Sequence, residues 1–226
     1  MRLFRCLLCP TSVNFRQGFC SVCLGNITRS LEPRVVMESE ELNGKALLSY
    51  GLYRGALADL VTFAKSQPAG VFPRVLSNFL EQLASHWSDE ILSTGARRVT
   101  SVPGDPWRRL HGCDLAAHVA LSVAKATTLP ATLPLLRRDW NPPWKAPQKA
   151  LTRAERLDRE SEISARTRLV VDSPPRSDEP LLLVDDVCST GSTLRASIDS
   201  LERRGYRVAA VLVLARNPLR SFASIG

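Results

Sequence analysis

The chain has 226 residues, 44% hydrophobic and 23% charged, and its 30 Lys and Arg outnumber 22 Asp and Glu for a net charge of +8. That suits one ample α/β domain or a domain with a small appendage, and it excludes a helical membrane span. Such a span needs about 18–20 apolar residues, whereas the longest apolar run, Val208 to Ala215, has eight. The positive excess is concentrated in residues 1–36 and 137–168, each at +4, which fits a polyanionic partner as readily as simple solubility.

The first six residues, Met1-Arg2-Leu3-Phe4-Arg5-Cys6, put charge and cysteine where a signal peptide needs an apolar stretch, so a cytoplasmic protein is expected. Cys6-x-x-Cys9 and Cys20-x-x-Cys23 follow, separated by ten residues. Two such knuckles can bring four thiolates around one tetrahedral zinc, and a shell of four cysteines leaves no open position for water. The zinc is therefore expected to be structural. Residues 1–34 have too little apolar sequence for a core of their own, so metal binding should fold them. Disulfides are disfavoured in a reducing compartment, and a redox pair lacks its usual βαβ surroundings.

From about Ala46 the pattern changes, and residues 46–226 read as the main domain. Leu57, Leu60, Val61 and Ala64 recur at helical spacing, as do Phe72, Val75, Leu76, Phe79, Leu80 and Leu83, predicting two amphipathic helices. Arg98 to Val102 reads as a strand running into Pro103-Gly104-Asp105-Pro106, followed by a helix with Leu115, Val119 and Val123 on one face. Residues 137–168, with Trp140, Pro142, Pro143, Trp144 and Pro147 among basic residues, read as a mobile loop leading into a polar helix. Leu181 to Val184 is a short continuous apolar run, as in a buried parallel strand. Leu194, Ile198 and Leu201 then mark a helix with Gly205 at its C′ position, and Val208 to Leu214 a further strand. Alternating strands and helices imply an α/β fold, a parallel sheet with helices on both faces, with ligands beyond the carboxyl ends of its strands.

The segment Leu181-Leu182-Leu183-Val184-Asp185-Asp186-Val187-Cys188-Ser189-Thr190-Gly191-Ser192-Thr193-Leu194 carries the chemistry. Two carboxylates at the end of a buried strand are costly to desolvate unless a cation or a donor-rich ligand meets them. Ser189 to Thr193 then places hydroxyls and a glycine at the mouth of a helix, where open N–H groups and the helix dipole favour an anion. A diol or metal ion on one side and a phosphate on the other describe a phosphorylated ribose. Capping or pairing with Arg is the plain structural alternative for the two aspartates. A receiver domain is excluded because only 40 residues follow Asp186, and no Walker phosphate loop occurs.

This segment resembles the signature of type I phosphoribosyltransferases, which bind 5-phosphoribosyl 1-pyrophosphate with magnesium. The resemblance implies that Asp185 and Asp186 contact the ribose hydroxyls and that Ser189, Thr190, Gly191, Ser192 and Thr193 hold the 5′-phosphate. Together with the four cysteines, the chain resembles the ComF/GntX family linked to bacterial DNA uptake. Val102-Pro103 followed by Arg108, Arg109 and His111-Gly112-Cys113-Asp114 resembles its pyrophosphate-loop region, implicating Pro103, Gly104, Arg108 and Arg109. His111 stands where the family usually has Arg, and Cys113-Asp114 replaces Phe-Asn, which leaves Arg108 or Arg109 as the substitute contact. Gln148, Leu151 and Arg156 resemble a further family stretch, and Lys65 is similar to a basic residue after the first helix.

Two functions are then expected. As an enzyme, the protein would transfer the phosphoribosyl group to a nitrogen nucleophile with Asp185, Asp186 and Arg156 as catalytic residues. Residues 137–168 would close as a lid, with Arg137, Arg138, Lys145, Lys149 or Arg156 reaching the pyrophosphate. As a binding module, it would sense a phosphoribosyl ligand while the zinc unit and the Trp140/Trp144 region grip single-stranded DNA. Other competence proteins are the further partners that the resemblance implies.

Overall fold

The computed structural model describes residues 4–13, 18–31, 34–39, 42–66, 74–104, 114–132, 135–138, 169–171 and 178–217. Its first half runs β1 (Phe4–Arg5), β2 (Ser12–Val13), α1 (Ser21–Ser30), β3 (Arg34–Ser39), β4 (Lys45–Ser49), α2 (Gly55–Ser66), α3 (Arg74–His86), α4 (Ser88–Ser93) and β5 (Arg98–Ser101). The second half runs α5 (Leu115–Thr127), β6 (Leu136–Arg138), β7 (Leu169–Val171), β8 (Leu181–Cys188), α6 (Ser192–Glu202) and β9 (Val208–Arg216).

Strands β8 and β9 are apolar at consecutive positions because both of their faces are covered. Leu182, Val184, Ala210, Leu212 and Leu214 join one core, while Leu181, Leu183, Val211 and Val213 join a second on the opposite face. That is the burial a parallel sheet requires. The five strands are ordered β3-β4-β9-β8-β5. The β4–β9, β9–β8 and β8–β5 pairs are parallel, and the β3–β4 pair at the edge is antiparallel.

The helices fall where the periodicity places them. Leu57, Leu60, Val61 and Ala64 of α2, Leu76, Leu80 and Leu83 of α3, and Leu115, Val119 and Val123 of α5 are all buried on the first face. Leu194, Ile198 and Leu201 of α6 fill the second, beside Leu42, Val102, Leu135 and Leu136. Gly205 ends α6 as expected: its N–H donates to the Glu202 carbonyl at 2.9 Å and the Tyr206 N–H to the Leu201 carbonyl at 3.1 Å. These are the two bonds of a Schellman C-terminus.

Two pairings lie outside the sequence reading. The β3–β4 hairpin extends the sheet, and Leu48 of β4 pairs in register with Leu212. Strand β6 pairs antiparallel with β7, so residues 137 and 138, which the sequence pattern assigns to the start of a loop, belong to a strand. Three residues, Leu136-Arg137-Arg138, are too few to show a period of two, and their partners lie far along the chain.

The N-terminal cysteine unit consists of the two-stranded β1–β2 ladder and α1. Its buried side chains Phe19 and Ile27 belong to the same core as α2 and α3. Phe19 meets Phe79 edge-on with ring centroids 5.8 Å apart. Gly18, at φ +60°, lies so close to Val75 that a Cβ would collide with it. The unit thus shares the main core and does not build a second one, as expected for a segment of its size. Among the described residues, no helix is long and apolar enough to cross a membrane.

Candidate functional site

The carboxyl ends of β4, β9, β8 and β5 point the same way and form one rim. Strand β8 changes character along its length, with Leu181 to Val184 buried and Asp185 to Cys188 half-buried. The apolar first half anchors the strand; the acidic second half reaches the rim. The Asp186 N–H donates to Oδ1 of Asp185 at 2.7 Å, so the first carboxylate folds back on the peptide joining the pair. Lys65, in the last turn of α2, donates from Nζ to Oδ1 of Asp186 at 2.8 Å. The cation that a buried-edge carboxylate calls for is therefore supplied across the chain by a residue singled out only as similar to a family position.

Next to this pair, Ser189 to Thr193 lead into α6. Gly191 is its N-cap with φ +71° and ψ −4°, a left-handed conformation in which a side chain would be strained. Gly191 is also buried, and a Cβ there would lie 3.4 Å from Leu42 Cδ2. The Thr190 and Ser192 hydroxyls are 2.9 Å apart, and the Ser192 N–H donates to Thr190 Oγ1 at 3.4 Å. The first turn of α6 contains no acidic residue. Hydroxyls and N–H groups gathered at the positive end of an eleven-residue helix form an environment suited to an anion.

On the other side of β8, the chain leaves β5 through Val102, Pro103 and Gly104. The register Ser101↔Val184 and the Val102 N–H donating to the Val184 carbonyl at 2.8 Å set this turn beside the acidic pair. Asp114 fixes it. Its carboxylate accepts from the Gly104 N–H at 3.3 Å and, as N-cap of α5, from the Ala117 N–H at 3.4 Å. In the sequence Asp114 stands out only as a departure from a family pattern. An Asp directly before the periodic run Leu115, Val119, Val123 is, however, a standard N-cap signal. Arg108, Arg109 and Arg156, and residues 139–168 of the expected lid, lie outside the described residues. The antiparallel β6–β7 ladder joins the two ends of that span.

The four cysteines converge at a separate place. The Sγ atoms of Cys6, Cys9, Cys20 and Cys23 all lie within 4.8 Å of one another. Cys9 and Cys20 are 3.7 Å apart at sulfur, far beyond a disulfide bond and close to the roughly 3.8 Å edge of a tetrahedron with Zn–S bonds of about 2.3 Å. Backbone N–H groups already support the sulfurs: Cys20 N donates to Cys6 Sγ at 3.3 Å and Cys23 N to Cys20 Sγ at 3.4 Å. The Thr11 hydroxyl and N–H hold Cys9 down to about 6, whereas burial and then the neighbouring sulfurs push Cys23 up. Four sulfurs this close resist shared ionisation, and a divalent cation removes that conflict. The donor set fits a thiophilic tetrahedral metal.

Comparison with known proteins bears on the main body. Residues 119–223 match the phosphoribosyl transferase domain, a span that takes in most of α5 and all of β8, the Ser189–Thr193 loop, α6 and β9. No curated protein matches the chain. Among solved structures, the chain is similar to a purine phosphoribosyltransferase from Pyrococcus horikoshii Ot3 at 12% identity, over 63% of this chain and 76% of that one, with a TM-score of 0.34. The parallel-sheet body, helices on both faces, is a phosphoribosyltransferase-like domain preceded by a small four-cysteine unit.

Proposed function

We propose that the protein binds 5-phosphoribosyl 1-pyrophosphate, as its magnesium complex, and transfers the phosphoribosyl group to a nitrogen nucleophile. The observation that carries this reading is the continuity of Asp185-Asp186, in the second half of β8, with the donor-rich mouth of α6, inside the span matching a phosphoribosyl transferase domain. Carboxylates accept hydrogen bonds from ribose hydroxyls; Ser189 to Thr193 cradle the 5′-phosphate. The Pro103–Gly104 turn lies beside the acidic pair and takes the pyrophosphate side, with Arg108, Arg109 and Arg156 as its cationic partners.

In the reaction, the bond from C1 of the ribose to the pyrophosphate oxygen breaks and a C1–N bond forms. The nucleophile's proton is lost and pyrophosphate departs with the electron pair. Positive charge develops at C1, so the protein's contribution is positioning and a fixed electrostatic environment. The cysteine unit fits zinc held by Cys6, Cys9, Cys20 and Cys23, and bound zinc would supply a cross-link there and no chemistry at the rim. Its presence ahead of such a domain supports a place beside the ComF/GntX family, with DNA uptake as the process served.

Pyrophosphate release tests the reading. With 5-phosphoribosyl 1-pyrophosphate and magnesium, release should depend on adding an amine or nucleobase acceptor. Binding with no release for any acceptor would instead indicate a ligand sensor.

A further inference from the structure

We propose that Lys65 is the positioning residue of the acidic pair, holding Asp186 and offsetting its charge so that the pair receives hydroxyl groups and not a bare divalent cation. This rests on the phosphoribosyl reading of the same site.

Lys65 Nζ lies 2.8 Å from Asp186 Oδ1, with side-chain exposures of 35% and 19%. A ligand can reach the pair, and the ammonium and carboxylate are in direct hydrogen-bond contact. Lys65 is also placed firmly. It occupies the last turn of α2, next to the buried Ala64 and one turn beyond the buried Val61, and a cation there is favoured by the helix dipole. Oδ1 of each aspartate is engaged by the protein, that of Asp185 by the Asp186 N–H and that of Asp186 by Lys65.

Two adjacent carboxylates gather the oxygen donors that a hard cation prefers. An ammonium ion on one of them opposes that cation by direct repulsion while leaving the pair able to accept neutral O–H donors. Lys65 acts through Asp186, so charge and orientation should be separable by substitution.

The test uses the full-length, zinc-loaded protein and two probes: ribose 5-phosphate without divalent metal, followed by calorimetry, and manganese alone, followed by water-proton relaxation. Lys65→Gln should weaken ribose 5-phosphate by about tenfold and tighten manganese by a similar factor. Lys65→Arg should stay near wild type with both probes, and adding Asp186→Asn to Lys65→Gln should return manganese binding to the wild-type level. Unchanged binding of both probes in Lys65→Gln would overturn the proposal. Loss of ribose 5-phosphate without a gain in manganese, and without rescue by Arg, would overturn it too, leaving Lys65 as a structural contact. If wild type itself ignored ribose 5-phosphate, the functional reading would fail. The manganese arm would still decide the matter of charge: tightening in Lys65→Gln upholds it and no change overturns it.

Discussion

The cysteine unit and the acidic rim are held in place by opposite means. The rim is carried by β8 and β9, whose apolar stretches are buried on both faces, so its geometry rests on a large local reservoir of hydrophobic burial. The cysteine unit adds only Cys6, Phe19, Cys20 and Ile27 as buried side chains to the core it shares with α2 and α3, and the zinc proposed at its four sulfurs would supply a cross-link in addition. The contrast teaches that a donor set can be ordered by its ligand or by its scaffold, and that the two cases respond differently to perturbation.

Removing the metal should produce the largest separation between the two regions. Structural zinc contributes on the order of 10 kcal/mol to folding small units. Chelation of the proposed zinc should therefore abolish amide-exchange protection across residues 4–13 and 18–31 while β8 and β9 keep theirs. Global loss of protection would break the comparison.

A cavity in the core beneath the rim should act in the reverse sense. Ile198 is fully buried beneath the sheet, and Ile198→Ala should lower unfolding stability by about 2–5 kcal/mol. Zinc content measured on the folded protein should not change.

What could be read from the sequence follows the same division. The β8–loop–α6 segment is contiguous, so the strand, the loop and the helix mouth follow from local pattern, although the strand runs on through Asp185 and Asp186 to Cys188 where the apolar run stops at Val184, because pairing with β9 continues there. The convergence of Cys6, Cys9, Cys20 and Cys23 was legible because two Cys-x-x-Cys knuckles at this spacing can bring their sulfurs together. The helical faces of α2, α3 and α5 were legible from period. The Lys65–Asp186 pair, 121 residues apart, was not, because nothing local in either sequence neighbourhood specifies the other. The β3–β4 hairpin and the β6–β7 ladder escaped for a related reason: each strand is short, and β4 owes its place to register with the distant β9.

Smaller effects sharpen the comparison. Asp114→Ala removes the N-cap of α5 and the tether on Gly104, and should cost about 1 kcal/mol in denaturant unfolding. It should also weaken pyrophosphate binding more than ribose 5-phosphate binding, since the Gly104 turn lies on the side assigned to pyrophosphate. Equal losses for the two ligands would detach that turn from the site. Tyr50 is buried against Trp87, with ring centroids 5.1 Å apart, and its hydroxyl is a buried polar atom without a hydrogen-bond partner among the described residues. Since an unsatisfied buried hydroxyl costs about 1–3 kcal/mol, Tyr50→Phe should stabilise the fold by about 1 kcal/mol. Thermal unfolding would then shift upward by about 2–4 °C; a downward shift would show that the hydroxyl is satisfied in solution.

The most direct test of the central claim is a calorimetric titration of 5-phosphoribosyl 1-pyrophosphate with magnesium into the wild-type protein and into Asp185→Asn/Asp186→Asn. Each charge-assisted hydrogen bond to the sugar contributes about 1.5–3 kcal/mol, so the double variant should lose binding by about a hundredfold or more while melting like wild type. Equal affinity in the two proteins, or no binding to wild type, would contradict the assignment of the β8 rim as a phosphoribosyl site.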